Sequence, residues 1–127
     1  MKLTNLTLLN STKVLSILSQ KELPIRVSFS IARNISKIND ELKIYNDERQ
    51  KLIIKYCEKD EDGKTIEDEN KQIKLKDEYK QEWSKDMQEL LSIENEIDIV
   101  KFSIDKIENV SIAPNEIIFI SYMIEDI

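Results

Sequence analysis

The chain has 127 residues, of which 40% are apolar and 35% are charged, and its formal net charge is -6. This length fits a single domain, residues 1–127, with a modest core. The chain contains no histidine and only one glycine. These two facts exclude Ser-His-Asp and Cys-His catalysis, the usual zinc sites and the glycine-rich loops that hold nucleotide phosphates. The composition therefore favours a binding role without catalytic residues, metal or cofactor.

The single cysteine, Cys57, bears on the compartment in which the protein works. A lone cysteine cannot form an internal disulfide, which is typical of a reducing environment. The first residues lack the pattern of a signal peptide, and the longest apolar run, residues 117–120, is far too short to cross a membrane. We therefore expect a cytoplasmic protein that contacts neither membrane nor nucleic acid directly.

Charge is distributed unevenly along the chain. Residues 1–39 carry six Lys/Arg and one acid, whereas residues 58–70 carry seven acids and two lysines. We expect the basic residues Arg26, Arg33 and Lys37 to pair with the acidic C-terminal half. The alternative is that the asymmetry steers a binding partner.

The first predicted element is a short amphipathic helix over residues 5–19. Leu8, Leu15 and Leu18 share one face of this helix, and Thr4 or Asn5 can cap its beginning. The segment that follows is ambiguous, because apolar and polar residues alternate over 25–31 as they do in a strand. Since the pattern then becomes helical, we expect a turn over 24–27 and a helix from about residue 28 to 57.

That long helix carries a heptad seam, in which apolar side chains recur alternately four and three residues apart. The seam residues are Ile31, Ile35, Ile38, Leu42, Tyr45, Arg49, Leu52 and Tyr56, and only Arg49 breaks the apolar pattern. A second helical pattern, over residues 76–97, supplies a natural partner. The sequence therefore predicts a mostly α fold built on an antiparallel helical hairpin. The same seam could instead join two copies, so a homodimer stays open.

The C-terminal part of the chain carries two conflicting patterns. Residues 97–112 include short alternating stretches, which favour a minor β element. Residues 114–124 begin with Pro114, which suits the first turn of a helix, but are apolar almost all round, as in a buried strand. We expect a buried terminal helix that covers the hairpin.

The acidic segment between the two long helices has two readings beyond a solvated turn. One is a calcium loop, with candidate ligands at Glu58, Asp60, Asp62 and Glu69 around Gly63, although Glu replaces the usual Asp at its first position. The other is a cluster that imitates a phosphate backbone and occupies a basic groove on a nucleic-acid-binding protein. On that second reading the partner-binding residues are Asp60, Glu61, Asp62, Glu67, Asp68 and Glu69.

Three stretches carry a resemblance to known sequences. They are residues 21–35 (KELPIRVSFSIARNI), 55–63 (KYCEKDEDG) and 111–118 (SIAPNEII). Together they resemble small uncharacterised proteins encoded by tailed phages and prophages of low-GC bacteria. The resemblance implies a phage-derived protein that acts in a bacterial host cytoplasm, and it transfers no catalytic residue.

The sequence thus predicts a non-catalytic, phage-type protein-binding factor. Its sharpest form is an inhibitor of a host defence system, anti-CRISPR-like, whose acidic surface binds a nucleic-acid-binding host complex. The alternative is an accessory or chaperone protein in virion assembly that binds through apolar surface. A calcium-binding module is the third hypothesis.

Overall fold

The computed structural model describes residues 1–59, 61, 74–108 and 110–125. Within these ranges the chain is mostly helical, which confirms the predicted class. The helices are α1 (Asn5–Leu18), α2 (Ile25–Tyr56), α3 (Lys80–Ser92) and α4 (Pro114–Ile120). The short strands are β1 (Lys2–Thr4), β2 (Glu94–Glu96), β3 (Phe102–Ser103) and β4 (Ile124–Glu125).

Backbone contacts divide the chain into two compact units. The first unit comprises Met1–Leu42 and Glu94–Ile127, and the second comprises Lys43–Ile93. The beginning of α2 therefore belongs to the first unit, and the remainder of the helix belongs to the second.

The beginning and the buried face of α1 agree with the prediction. The Thr4 hydroxyl accepts a hydrogen bond from the Thr7 backbone N–H at 3.1 Å, which satisfies one of the free donors at the helix start. Leu8, Leu15 and Leu18 are fully buried. The spacing of the three leucines was sufficient to identify this face, because helical neighbours three and four residues apart lie on one side.

Helix α2 begins at Ile25, so the predicted turn over 24–27 is wrong. The Ser28 backbone N–H donates to the Pro24 carbonyl at 2.9 Å, which is the first hydrogen bond of the helix. Proline suits this position because its missing N–H would have no partner inside the helix. The chain thus enters the helix directly after the proline.

The seam predicted along α2 is largely buried. Ile31 and Ile38 are among the most completely enclosed side chains, and Leu42, Tyr45 and Tyr56 are buried as well. One polar side chain, Asn34, is fully buried on the same face, and no local sequence pattern marks it.

Helix α3 is shorter than predicted, because it ends at Ser92 instead of continuing to residue 97. A single 3-10 turn, Asp77–Tyr79, precedes it, and Ile93 already has an extended backbone. The chain then forms β2, which pairs antiparallel with β1. This pairing joins residues that are 90 to 94 positions apart in sequence, so local periodicity could not reveal it.

The C-terminal segment contains the expected helix and a short strand, but the expectation that this helix is buried is wrong for most of its length, because only Ile120 of α4 is buried. Helix α4 ends at Ile120, a 3-10 turn follows over Ser121–Met123, and β4 pairs parallel with β3. The expected minor β element near 97–112 is therefore present as β3. Ile120 and Met123 are fully buried in the first unit.

Buried hydroxyl groups link α1 to the C-terminal segment. The Ser11 hydroxyl lies 2.9 Å from the Phe119 carbonyl and 2.8 Å from the Thr7 carbonyl, both of which can accept its proton. The Tyr122 hydroxyl donates to Ser11 Oγ at 2.7 Å. These bonds satisfy polar atoms that would otherwise be costly to bury.

Candidate functional site

Only one residue of the predicted acidic binding surface lies within the described part of the chain. Glu61 is exposed there. The other predicted partner-binding residues lie outside the described residues, and they are Asp60, Asp62, Glu67, Asp68 and Glu69. The acidic surface therefore remains a prediction.

Most candidate ligands of the calcium hypothesis also lie outside the described residues. Of its candidate ligands only Glu58 is described, and its carboxylate Oε2 lies 3.2 Å from Lys74 Nζ. An ammonium group at this distance competes with a metal ion for the same oxygen. Among the described residues, no group of three His, Cys, Asp or Glu side chains is placed to hold a metal ion.

The most distinctive surface of the first unit lies at the beginning of α2. Ile25 is 84% exposed and Phe29 is 59% exposed, whereas Val27 and Ile31 are buried. The strand-like alternation over 25–31 therefore divides between two faces of a helix, because Ile25 and Phe29 are one turn apart, as are Val27 and Ile31. One face enters the core, and the other presents large apolar side chains to solvent.

Two arginines complete this surface. The Arg33 guanidinium lies over the Phe29 ring, 4.6 Å from its centroid, in a cation–π arrangement. Arg26 is exposed and lines a shallow depression with Ile25, Phe29 and Ser30. We call these five residues the α2 patch.

The expected pairing of basic residues with the acidic half of the chain is found at Lys37 and not at the two arginines. Lys37 Nζ lies 3.8 Å from Asp98 Oδ2 and donates to the Asp98 carbonyl. Within the ranges that the structure describes, neither Arg26 nor Arg33 has a carboxylate within ion-pair distance. Within the described residues, the α2 patch thus combines exposed apolar area with two positive charges that have no carboxylate partner.

In the second unit, an aromatic cluster surrounds the end of α2. The Tyr56 ring lies 5.5 Å from that of Tyr79 and 6.5 Å from that of Trp83, which it meets nearly edge-on. The Tyr56 hydroxyl donates to Asp86 Oδ2 at 2.6 Å. This hydrogen bond and burial raise the pKa of Tyr56. The Tyr56 hydroxyl and the Asp86 carboxylate thus satisfy each other, as polar groups in a packed core do.

Cys57 is buried next to this cluster and has no disulfide partner among the described residues. Burial raises the pKa of its thiol, and the charge of Arg49 offsets this only in part. The nucleophilic form of cysteine is the thiolate, so a raised pKa makes the side chain less reactive. The thiol therefore fits a packing role.

A cleft of about 250 Å³ lies between α1 and α2 in the first unit, with Leu15 and Ile38 among its lining residues. Two hydroxyls at its edge are already engaged, because Thr12 donates to the Leu9 carbonyl and Ser19 donates to the Ser16 carbonyl. Specific ligand sites usually hold several polar groups that point inward. This cleft is accordingly a weaker candidate than the α2 patch.

The comparisons with known proteins concern the chain as a whole. In the described residues, no helix has the length and apolar character needed to cross a membrane. No curated protein matches the chain, and no solved structure matches it. A protein-family profile matches residues 2–126, and its description is "Protein of unknown function (DUF1617)". Since that match covers nearly the whole chain, the protein belongs to the DUF1617 family.

Proposed function

We propose that the protein is a non-catalytic protein-binding factor and that the α2 patch is its binding surface. The observation that carries the proposal is the exposure of Ile25 and Phe29 on the first turns of α2, directly beside two arginines without carboxylate partners in the described residues. Large apolar side chains on one helix face cost solubility unless something covers them.

The composition of the α2 patch fits a protein partner. Aromatic and arginine side chains are the residue types that most often dominate the energy of protein interfaces. Phe29 offers an apolar anchor, and Arg33, which is held over its ring, offers a directed positive charge. A nucleic-acid surface would require a broader basic area, whereas this chain carries a net charge of -6. The partner surface is therefore expected to combine apolar and acidic side chains.

The sequence suggests two biological roles for this binding. In one the protein inhibits a host defence complex, and in the other it assists virion assembly. Both roles are part of the proposal, and they differ in the partner that the protein would capture. The apolar character of the α2 patch favours the assembly role, in which binding through apolar surface was expected.

The arrangement of α2 and α3 as an antiparallel hairpin belongs to the same proposal. It is supported by the contact of Tyr56, at the end of α2, with Trp83 near the beginning of α3. It is also supported by the groove that Leu52 lines together with Ile93, just beyond the end of α3. In a hairpin of this kind the packing of the two helices would fix the positions of the side chains on its outer surface.

The test is affinity capture from bacterial lysate, with and without phage infection, followed by mass spectrometry. The tagged protein is compared with the variants Phe29→Ser and Arg33→Glu. The matched control is Ile44→Ser, since Ile44 is 62% exposed on the same helix but lies outside the α2 patch. We expect the protein and the control to capture the same partner and both patch variants to lose it. Equal capture by all four proteins would contradict the proposal.

A further inference from the structure

A groove in the second unit has the composition that the α2 patch requires of a partner. Helix α2 contributes Glu48 and Leu52 to it, and the segment from α3 onward contributes the rest. The residues of that segment are Asp86, Glu89, Leu90 and Ile93. They are spaced three and four apart, so they form one face. We call this surface the acidic groove.

The acidic groove presents apolar area between negative charges. Ile93 is 49% exposed and Leu52 is partly exposed. Glu89 is exposed and has no cationic partner within ion-pair distance in the described part of the chain. Glu48 pairs with Lys51 at 2.9 Å on the exposed helix surface, a pair that contributes little and can be exchanged at small cost.

We propose that the occupant of the α2 patch is the acidic groove of a second copy of this chain. Ile25 and Phe29 would pack on Leu52 and Ile93, and Arg26 and Arg33 would face Glu89 and Glu48. Apolar area meets apolar area in this pairing, and two arginines that lack a carboxylate partner in the described part of the chain each meet a negative charge. This inference rests on the proposed function, because it names the partner of the same surface.

The pairing joins two different surfaces, so it is heterologous, or head-to-tail. A contact of this type leaves one α2 patch and one acidic groove free at the two ends of every assembly. Further copies can therefore add until a ring closes or the concentration limits growth. The surfaces are small, with about six side chains on the larger one, which predicts a weak, concentration-dependent association.

The test uses sedimentation equilibrium of the full chain over a wide concentration range. We expect the average mass of the unaltered protein to rise above 15.0 kDa without stopping at that of a dimer. We expect higher salt to weaken the association, because the charges are near the surface. Arg33→Glu alters only the α2 patch and Glu89→Arg alters only the acidic groove, and each should weaken association by about tenfold or more.

Mixing the two variants gives the sharper result. The Glu89→Arg protein retains an intact α2 patch, and the Arg33→Glu protein retains an intact acidic groove. We therefore expect the mixture to form a complex of one copy each, and not longer assemblies, although each variant alone remains at single-chain mass. Ile44→Ser serves as the control that should associate like the unaltered protein. Far-UV circular dichroism verifies that every variant is folded.

Two results would overturn the inference. One is single-chain mass for the unaltered protein at every concentration, and the other is a mixture of the two variants that forms no complex. Neither result contradicts the proposed function if Phe29→Ser still loses the partner that the unaltered protein captures from lysate. Conversely, equal capture from lysate by the protein and all its variants contradicts the proposed function, and that result does not depend on the outcome of the mixture.

Discussion

Asn34 holds the backbone of Val100 with both ends of its side-chain amide. Its Nδ2 donates to the Val100 carbonyl at 2.8 Å, and its Oδ1 accepts from the Val100 N–H at 2.8 Å. The two bonds replace those that a neighbouring strand would make, so the segment before β3 is satisfied by a helix side chain. Asn34 is completely buried, whereas Val100 is half-buried.

The first prediction concerns this pair of bonds. Replacing Asn34 with leucine should lower the free energy of unfolding by about 1–3 kcal/mol, because it leaves the Val100 N–H and carbonyl without their partner. Urea denaturation measures the change. The control is Asn46→Ala at an exposed position of α2, which should alter stability by no more than about 0.5 kcal/mol. Equal stability of the two variants would show that the amide is dispensable.

The second prediction separates the two faces at the beginning of α2. Ile31→Ala should cost about 2–5 kcal/mol, because it opens a cavity in the core. Phe29→Ala should remain within about 0.5 kcal/mol of the unaltered protein, since that ring is largely in solvent. Thermal denaturation of the two variants compares them directly. A large loss for Phe29→Ala would mean that the ring supports the fold and is not available to a partner.

The third prediction concerns the pH dependence of stability. Burial raises the pKa of the Tyr122 hydroxyl. The folded protein therefore retains this proton more firmly than the unfolded chain. Its contribution to stability is complete below the ordinary tyrosine pKa of about 10 and is lost as the pH rises through the folded-state pKa.

The measurement is urea denaturation of the unaltered protein and of Tyr122→Phe at pH 8 and pH 11. The unaltered protein should lose more stability than the variant between the two pH values, because only it has this hydroxyl to ionise. Lysine ionisation affects both proteins alike and cancels in the comparison. An equal loss would show that Tyr122 ionises as readily in the folded protein as in the unfolded chain.

The fourth prediction decides between the two proposed binding surfaces. The charges of the acidic segment are reversed by substituting lysine at Asp60, Glu61, Asp62, Glu67, Asp68 and Glu69. If the α2 patch is the binding surface, this charge-reversed variant should capture the same partner from lysate, and only Phe29→Ser should lose it. If the acidic segment is the binding surface, as the sequence suggests, the charge-reversed variant should lose the partner and Phe29→Ser should retain it. The helical circular dichroism signal should stay unchanged in both variants.

Much of the helical architecture could be predicted because its signals are local. The hydroxyl of Thr4, the three leucines of α1 and the heptad seam of α2 all act over a few residues. Local patterns of this kind report which side chains share a face. They identified α1 almost to its last residue and most of the buried face of α2.

The features that could not be predicted depend on residues that are distant in sequence, or on an apolar pattern that fits both a strand and a helix. The pairing of β1 with β2 joins opposite parts of the sequence, and Asn34 is explained only by Val100, 66 positions away. The sequence predicts a turn at Ile25 and the beginning of a helix at Phe29, because a strand, whose side chains alternate every two residues, and a helix, with about 3.6 residues per turn, are treated as alternatives. Two helix faces that are both apolar produce the same alternation.

The hydroxyl link between Ser11 and the Phe119 carbonyl has a consequence for the order in which the protein forms during synthesis. The two residues are 108 positions apart, whereas Tyr56 and Asp86 in the second unit are separated by only 30. Contacts between distant residues form slowly, because a long loop must close first. The second unit can therefore fold on the ribosome while the leucine face of α1 still waits for α4. During that interval the nascent chain exposes the leucine face of α1, which makes this stage open to aggregation and to chaperone binding.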